Sequence, residues 1–229
     1  MLDSPQAYAL GLFAALCIGI AKAGFSGTSL LAVVIFSEIY GPKGQAGLAL
    51  PLLILADLTV YPAFRKHGSW SDVWRLLPAT LIGLGLGWWM MGQVSDLVAK
   101  RVIGGAILAM LVLQSLRGLK PEVLKRVADH RAFGTGAGAA AGVTTMLANA
   151  AGPVFQLYLL SRRIPKMEMI GIGARFFLLI NLIKIPLNRQ LDTLNAESLM
   201  DNLKLAPGVL AGVFLGKWLL QKVPQRAFE

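Results

Sequence analysis

Residues 52–62 read LLILADLTVYP, and residues 176–186 read FFLLINLIKIP. Laid over one another, the two stretches put Asp57 opposite Asn181 and Pro62 opposite Pro186, each within an otherwise mostly apolar run. Further along, LPATLIGLGLGWWMM (77–91) lies on APGVLAGVFLGKWLL (206–220). Pro78, Leu81, Gly83, Leu86, Gly87 and Trp89 there match Pro207, Leu210, Gly212, Leu215, Gly216 and Trp218. In the same order Gly19 meets Gly142, and Pro42-Lys43 meets Pro165-Lys166. An ordered series of matches at nearly the same spacing, 123 to 129 residues, is an internal repeat.

Both copies are hydrophobic nearly throughout. The chain is 229 residues long, 55% hydrophobic and 15% charged, with a mean hydropathy of +0.63, which excludes an ordinary water-soluble domain. Runs long enough to cross a hydrocarbon layer of about 30 Å recur along it, and they are continuous rather than alternating, so they read as helices and not as barrel strands. The expected fold is an all-α integral membrane protein, a polytopic helical bundle. Nine apolar pieces cover about 7–23, 26–39, 44–64, 73–91, 99–116, 133–147, 150–160, 167–187 and 203–220. The first two and the sixth and seventh are short, which predicts broken or re-entrant helices. Five pieces separate the start of one copy from the start of the next, so the copies enter the membrane in opposite directions. That is the plan of two inverted-topology repeats. The division expected is 1–116 for the first repeat and a central helix, 117–132 for a cytoplasmic linker, and 133–229 for the second repeat. The central helix, 99–116, has no counterpart after Leu220, which marks it as a central linker or the natural protein as longer than this sequence.

The net charge of +10 does not indicate nucleic acid, because most Lys and Arg fall in short loops between apolar runs. Thirteen of them, among them Arg65, Lys66, Arg75, Arg117, Arg162, Lys166 and Lys222, collect on one side; Lys43, Lys100, Arg101, Arg189 and Lys204 collect on the other. The richer side is expected in the cytoplasm, and the N-terminus outside. The opening MLDSPQ has no basic residue, and no small-residue cleavage pattern follows the first run, so that run reads as a retained helix. Cys17 is the only cysteine, which excludes a disulfide framework and a thiolate metal site.

Polar residues interrupt the apolar runs at two places, KAGFSG (22–27) and MLANAAGP (146–153). Helix N-termini carry unpaired N–H groups and roughly half a positive charge, so a helix that begins inside the bilayer suits an anion. Gly24 and Gly27 let the backbone turn and approach a ligand, while Ser26, Thr28 and Ser29 are placed to cap a helix or donate to an oxyanion. In the second copy Asn149 is a capping type, Gly152 is permissive, Pro153 suits a first turn, and Gln156 lies one turn further on. A charge at the centre of a membrane helix costs at least about 2.5–3.5 kcal/mol, which singles out Lys22, Asp57 and Arg175. Arg175 is expected to face the anion or to pair with Asp57; Asp57 is also a candidate proton carrier. Lys184 and Lys217 are expected to snorkel toward the interface. The sequence GFSG would also suit a serine nucleophile, but His67 and His130 both fall in loops, away from any intramembrane serine.

The paired glycine-rich breaks, the matching prolines and the echo of PATLIGLGLG in PGVLAGVFLG resemble the sulfite exporter TauE/SafE family over nearly the whole chain. The resemblance implies a multi-pass transporter of the bacterial inner membrane, not an enzyme, for sulfite, sulfonates or related organic anions. It also implies that the family's characteristic breaks fall on Gly24–Ser29 and Asn149–Pro153. The expected function is export of such an anion by alternating access, with proton-coupled import and an anion channel as alternatives. The expected partners are the small anion and the lipid bilayer, with no nucleic acid, cofactor or metal; homo-oligomerisation stays open.

Overall fold

The computed structural model describes residues 2, 4–119, 131–162 and 164–224. The expected linker, apart from its two ends, lies outside them, as do Lys120, Lys125, Arg126, His130, Arg163 and Arg226. Among the described residues eight α-helices follow one another: α1 Pro5–Lys22, α2 Ser29–Phe64, α3 Trp70–Gln93, α4 Asp96–Leu119, α5 Arg131–Ala148, α6 Ala151–Ser161, α7 Lys166–Gln190 and α8 Ala196–Lys222. A single 3-10 turn, Ser26–Thr28, leads into α2. Among the described residues there is no strand, and four helical segments are long and apolar enough to cross a bilayer. The protein is an all-α polytopic membrane bundle.

Local chemistry sets the helix ends. Ser4 caps α1 by accepting from the Ala7 N–H, with Pro5 at the first helical position, and Asn195 and Ser198 form a reciprocal capping box at α8. Gly41 bends α2 into two arms; its φ of +78° is open to glycine, and Pro42 behind it disfavours helical geometry at Gly41 while suiting a helix start. The pieces read separately as 26–39 and 44–64 therefore share a corner. In the second copy the equivalent corner is Pro165, the N-cap of α7.

The repeat becomes spatial through its glycines. A Cβ on Gly19 would strike the backbone of α8 between Val209 and Val213, and one on Gly212 would strike Leu16 O. In the other copy a Cβ on Gly142 would strike α3 between Thr80 and Leu84, and one on Gly83 would strike Ala139 O. These are the same contacts twice, since Gly19, Leu16 and Gly212 correspond in the repeat to Gly142, Ala139 and Gly83. The first helix of each copy thus packs parallel to the last helix of the other, and small residues let the backbones approach in a medium that supplies no hydrophobic drive between helices.

Two hydrophobic cores result. One joins α3, α5, α6 and a face of α7 through Leu84, Met146, Leu159, Ile172 and Phe176; the other joins α1, α2 and α8 through Ile18, Phe36, Leu52 and Val209. The second arm of α2 and α7 lie between them. The outer surface is apolar, with Ile82, Leu203 and Phe214 exposed by 74%, 72% and 63%, as helices facing lipid require.

Gly19→Val and Gly142→Val are expected to cost at least the 1–3 kcal/mol typical of overpacking, because backbone is what the new methyls meet. Gly85→Val, which meets nothing within 4 Å, is expected to stay within about 1 kcal/mol of wild type. Thermal unfolding in detergent checks both.

Candidate functional site

Between the two cores lies a cavity of about 80 Å³, lined by both breaks, by the middle of α2 and by α7. That is room for several waters or one small anion. Each break is made by backbone that ordinary residues avoid: Gly24 has φ +121°, and Asn149 has φ +52°. The two breaks touch. Ser26 Oγ donates to Gln156 Oε1, and a Cβ on Gly152 would lie 3.0 Å from that of Ser26.

The hydroxyls and the asparagine do not cap the helices that follow. Thr28 Oγ1 donates to Phe25 O at 2.9 Å and Cys17 O at 3.0 Å, and Ser29 Oγ donates to Ser26 O at 2.6 Å. Each hydroxyl finds a nearer carbonyl at the end of the preceding helix or turn. Asn149 sits at the left-handed end of α5, where its amide donates to Ala46 O at 3.2 Å and its carbonyl accepts from Lys184. The N-caps of the 3-10 turn, of α2 and of α6 (Phe25, Thr28 and Ala150) therefore provide no side-chain cap. The first turns of α2 and α6 bring Ser29 and Gly152 to the cavity wall. Pro153, in the first turn of α6, removes one orphan N–H but leaves the others.

At the centre is a buried ion pair. Lys22 Nζ lies 2.8 Å from Asp57 Oδ1 and 3.0 Å from Oδ2, and 4.4 Å from the centre of the Phe177 ring. Asn181 donates to Asp57 Oδ2 at 2.8 Å, so the two residues aligned in the repeat meet across its pseudo-twofold axis. Lys22 closes α1, where a cation also suits the helix dipole.

Of the residues singled out from sequence, Lys22, Gly24, Ser26, Ser29, Asp57, Asn149, Gly152 and Gln156 line the cavity; Gly27, Thr28, Pro153 and Arg175 do not. Arg175 neither faces the cavity nor pairs with Asp57. Its guanidinium donates to Gly171 O at 3.0 Å, to Arg65 O at 2.6 Å and to His67 O, and it lies 5.7 Å from the Trp70 ring. The carbonyls at the end of α2 have no intrahelical donors, and a planar fork satisfies two at once. Lys184 does not snorkel. It is fully buried, and its Nζ donates to Thr145 O at 2.7 Å and to Asn149 Oδ1. Pro186 suggests a helix end, but α7 runs on to Gln190 and keeps Lys184 inside. Thr145, Phe155 and Phe177 also line the cavity; Thr145 was legible, since it falls opposite Lys22 when Gly19 is laid on Gly142. Lys217 donates to Thr59 O at 3.3 Å, away from the site. No group of three His, Cys, Asp or Glu placed to hold a metal occurs among the described residues.

Removing one member of a buried ion pair strands the other, at about 3–5 kcal/mol. Lys22→Met and Asp57→Leu are each expected to lower the melting temperature in detergent by more than the double substitution does; strictly additive losses would show the two residues to be uncoupled.

A comparison with family models matches residues 9–229 to the description "Sulfite exporter TauE/SafE". No curated protein and no solved structure matches the chain. The matched span takes in both breaks, both glycine crossings and the Asp57–Asn181 contact, and with it the chain belongs to the TauE/SafE sulfite exporter family of membrane transporters.

Proposed function

We propose that the protein exports sulfite or a small organosulfur or organic anion across the bacterial inner membrane by alternating access, with the N-terminus outside and the main basic loops in the cytoplasm. One observation carries the reading: two helix starts without side-chain caps open onto the same cavity as the ammonium of Lys22. Backbone N–H groups, helix dipoles and a lysine then act together on an occupant held away from bulk water. The anion-contacting groups in this reading are Lys22, Gly24, Ser26, Ser29, Asn149, Gly152 and Gln156. Gly27 supplies backbone freedom, Thr28 ties the turn to α1, and Pro153 shapes the start of α6. Arg175 is assigned to structure.

The packing supports a particular motion. Because each copy lends its first helix to the other copy's last, the bodies that rock are α1 with α8 and α3 with α5, and not the two halves of the sequence. Asp57 and Asn181, on α2 and α7 between those bodies, lie at the pivot. The cavity wall runs from Asn181 at mid-helix to Met169 in the first turn of α7, toward the side with the richer basic loops. An anion would enter there. Each negative charge carried outward through an inside-negative potential releases about 2.3 kcal/mol per 100 mV, so export needs no coupling ion. Asp57 favours a second reading, proton-coupled import, in which protonation would release Lys22.

In proteoliposomes containing sulfite, efflux is expected to saturate with concentration and to speed up under an inside-negative potential; acceleration only by a proton gradient would favour the import reading. Lys22→Ala is expected to weaken anion binding about 10- to 100-fold, the loss of one charge-assisted contact. Lys217→Ala and Arg175→Gln are expected to leave affinity within about threefold, with Arg175→Gln lowering the melting temperature. A thermal-shift screen with sulfite, sulfonates and carboxylates checks these variants; equal loss of affinity in all three would remove the assignment of Lys22.

A further inference from the structure

Among the described residues, Lys22, Asp57 and Lys184 meet at the centre of the bundle, and their formal charges sum to plus one. Lys22 and Asp57, with side chains 12% and 1% exposed, neutralise each other at 2.8 Å. Lys184 has no such partner. Around its Nζ are Thr145 O at 2.7 Å, Thr145 Oγ1 at 3.5 Å and Asn149 Oδ1, three neutral oxygens that match the three N–H donors of an ammonium. No described carboxylate forms an ion pair with it; Asp201, the other buried acid, takes a hydrogen bond from Tyr40 and an ion pair from Lys204. Two of the residues that hold or balance these charges, Thr145 and Asn149, line the cavity beside Lys22 and Asp57. The surplus charge thus stands one side chain behind the cavity wall.

The repeat shows where the surplus arises. Asp57 and Lys22 in the first copy fall in register with Asn181 and Thr145 in the second, so an ion pair is matched by an amide and a hydroxyl, and neither set changes the net charge. Lys184 stands in register with Val60. One lysine is the whole difference in charge between the two copies at the centre. An unbalanced cation away from water is costly unless something compensates it.

Resting on the reading of this cavity as the anion site, we infer that the site is charge-matched to a monoanion, and that a dianion of the same shape is rejected. One negative charge brings the buried set to neutrality. A second would be opposed only by the partial charges of the two helix starts, while the cost of stripping water from an ion rises with the square of its charge. Phe155, Phe177 and Leu159 on the wall offer a dianion nothing to replace that water. The Oδ1 atom of Asn181, buried on the same wall without a hydrogen-bond partner, adds an acceptor and not another cation.

Methanesulfonate and sulfate test this, since both are tetrahedral at sulfur and similar in size, and they carry fixed charges of one and two. Titrated by calorimetry into the purified full-length protein at matched ionic strength, methanesulfonate is expected to bind at least about tenfold more tightly than sulfate. Asp57→Asn, which keeps the shape and adds one positive charge, is expected to narrow that ratio about tenfold or reverse it. Equal or tighter binding of sulfate by the wild-type protein would overturn the charge matching while leaving the anion site standing. A ratio unmoved in a folded Asp57→Asn protein would overturn it too. Binding of neither anion by the wild type would sink the anion site itself.

Discussion

Asp57 is held at one carboxylate oxygen by Lys22 of its own repeat and by Asn181 of the other, at a depth where water is scarce. A polar group buried in a bilayer finds its partners within the chain, and this node brings an ammonium, a carboxylate and an amide together. Everything around it is arranged to keep the helices that carry these residues in reach. The Gly41 corner sends the second arm of α2 past the end of α1, and the corner at Pro165 starts α7 alongside it. Were either helix displaced by one turn, a charge would face hydrocarbon.

The glycine crossings supply the rigidity that such a node requires. In lipid, helices gain little by hiding apolar surface from one another, and close backbone contact takes over that role. Gly19 on Gly212 and Gly142 on Gly83 therefore fasten together helices from different repeats. The consequence is mechanical as well as structural. Two well-packed bodies, each assembled from both repeats, flank the cavity. In the proposed alternating-access reading they move against one another with the crossings intact and reshape only the cavity.

Charge at the site is likewise a matter of what the surroundings permit. Lys22 is balanced by a carboxylate, while Lys184 is held only by neutral oxygens. Two starting helices without side-chain caps add to the positive potential. In the proposed reading an anion balances this charge. Arg175, the most conspicuous cation in the apolar sequence, is held by the carbonyls at the end of α2.

Hydropathy, the ordered repeat and the two polar breaks determined the membrane, the helices, their inverted order and the residues at which each hairpin turns, because all of these follow from properties of neighbouring residues. The alignment of the two copies alone places Asp57 opposite Asn181. What only the tertiary structure decided is which partner each buried polar group takes. Lys22 and not Arg175 pairs with Asp57; Asn149 ends a helix instead of capping the next; Lys184 is buried instead of reaching the interface. Partner choice depends on which helices become neighbours and at what height, and that is set by close backbone contacts between helices far apart in the sequence, Gly19 against Gly212 on α8 and Gly83 against Ala139 on α5. A local pattern shows that a charge is buried and must be answered; only the packing of distant helices shows by whom.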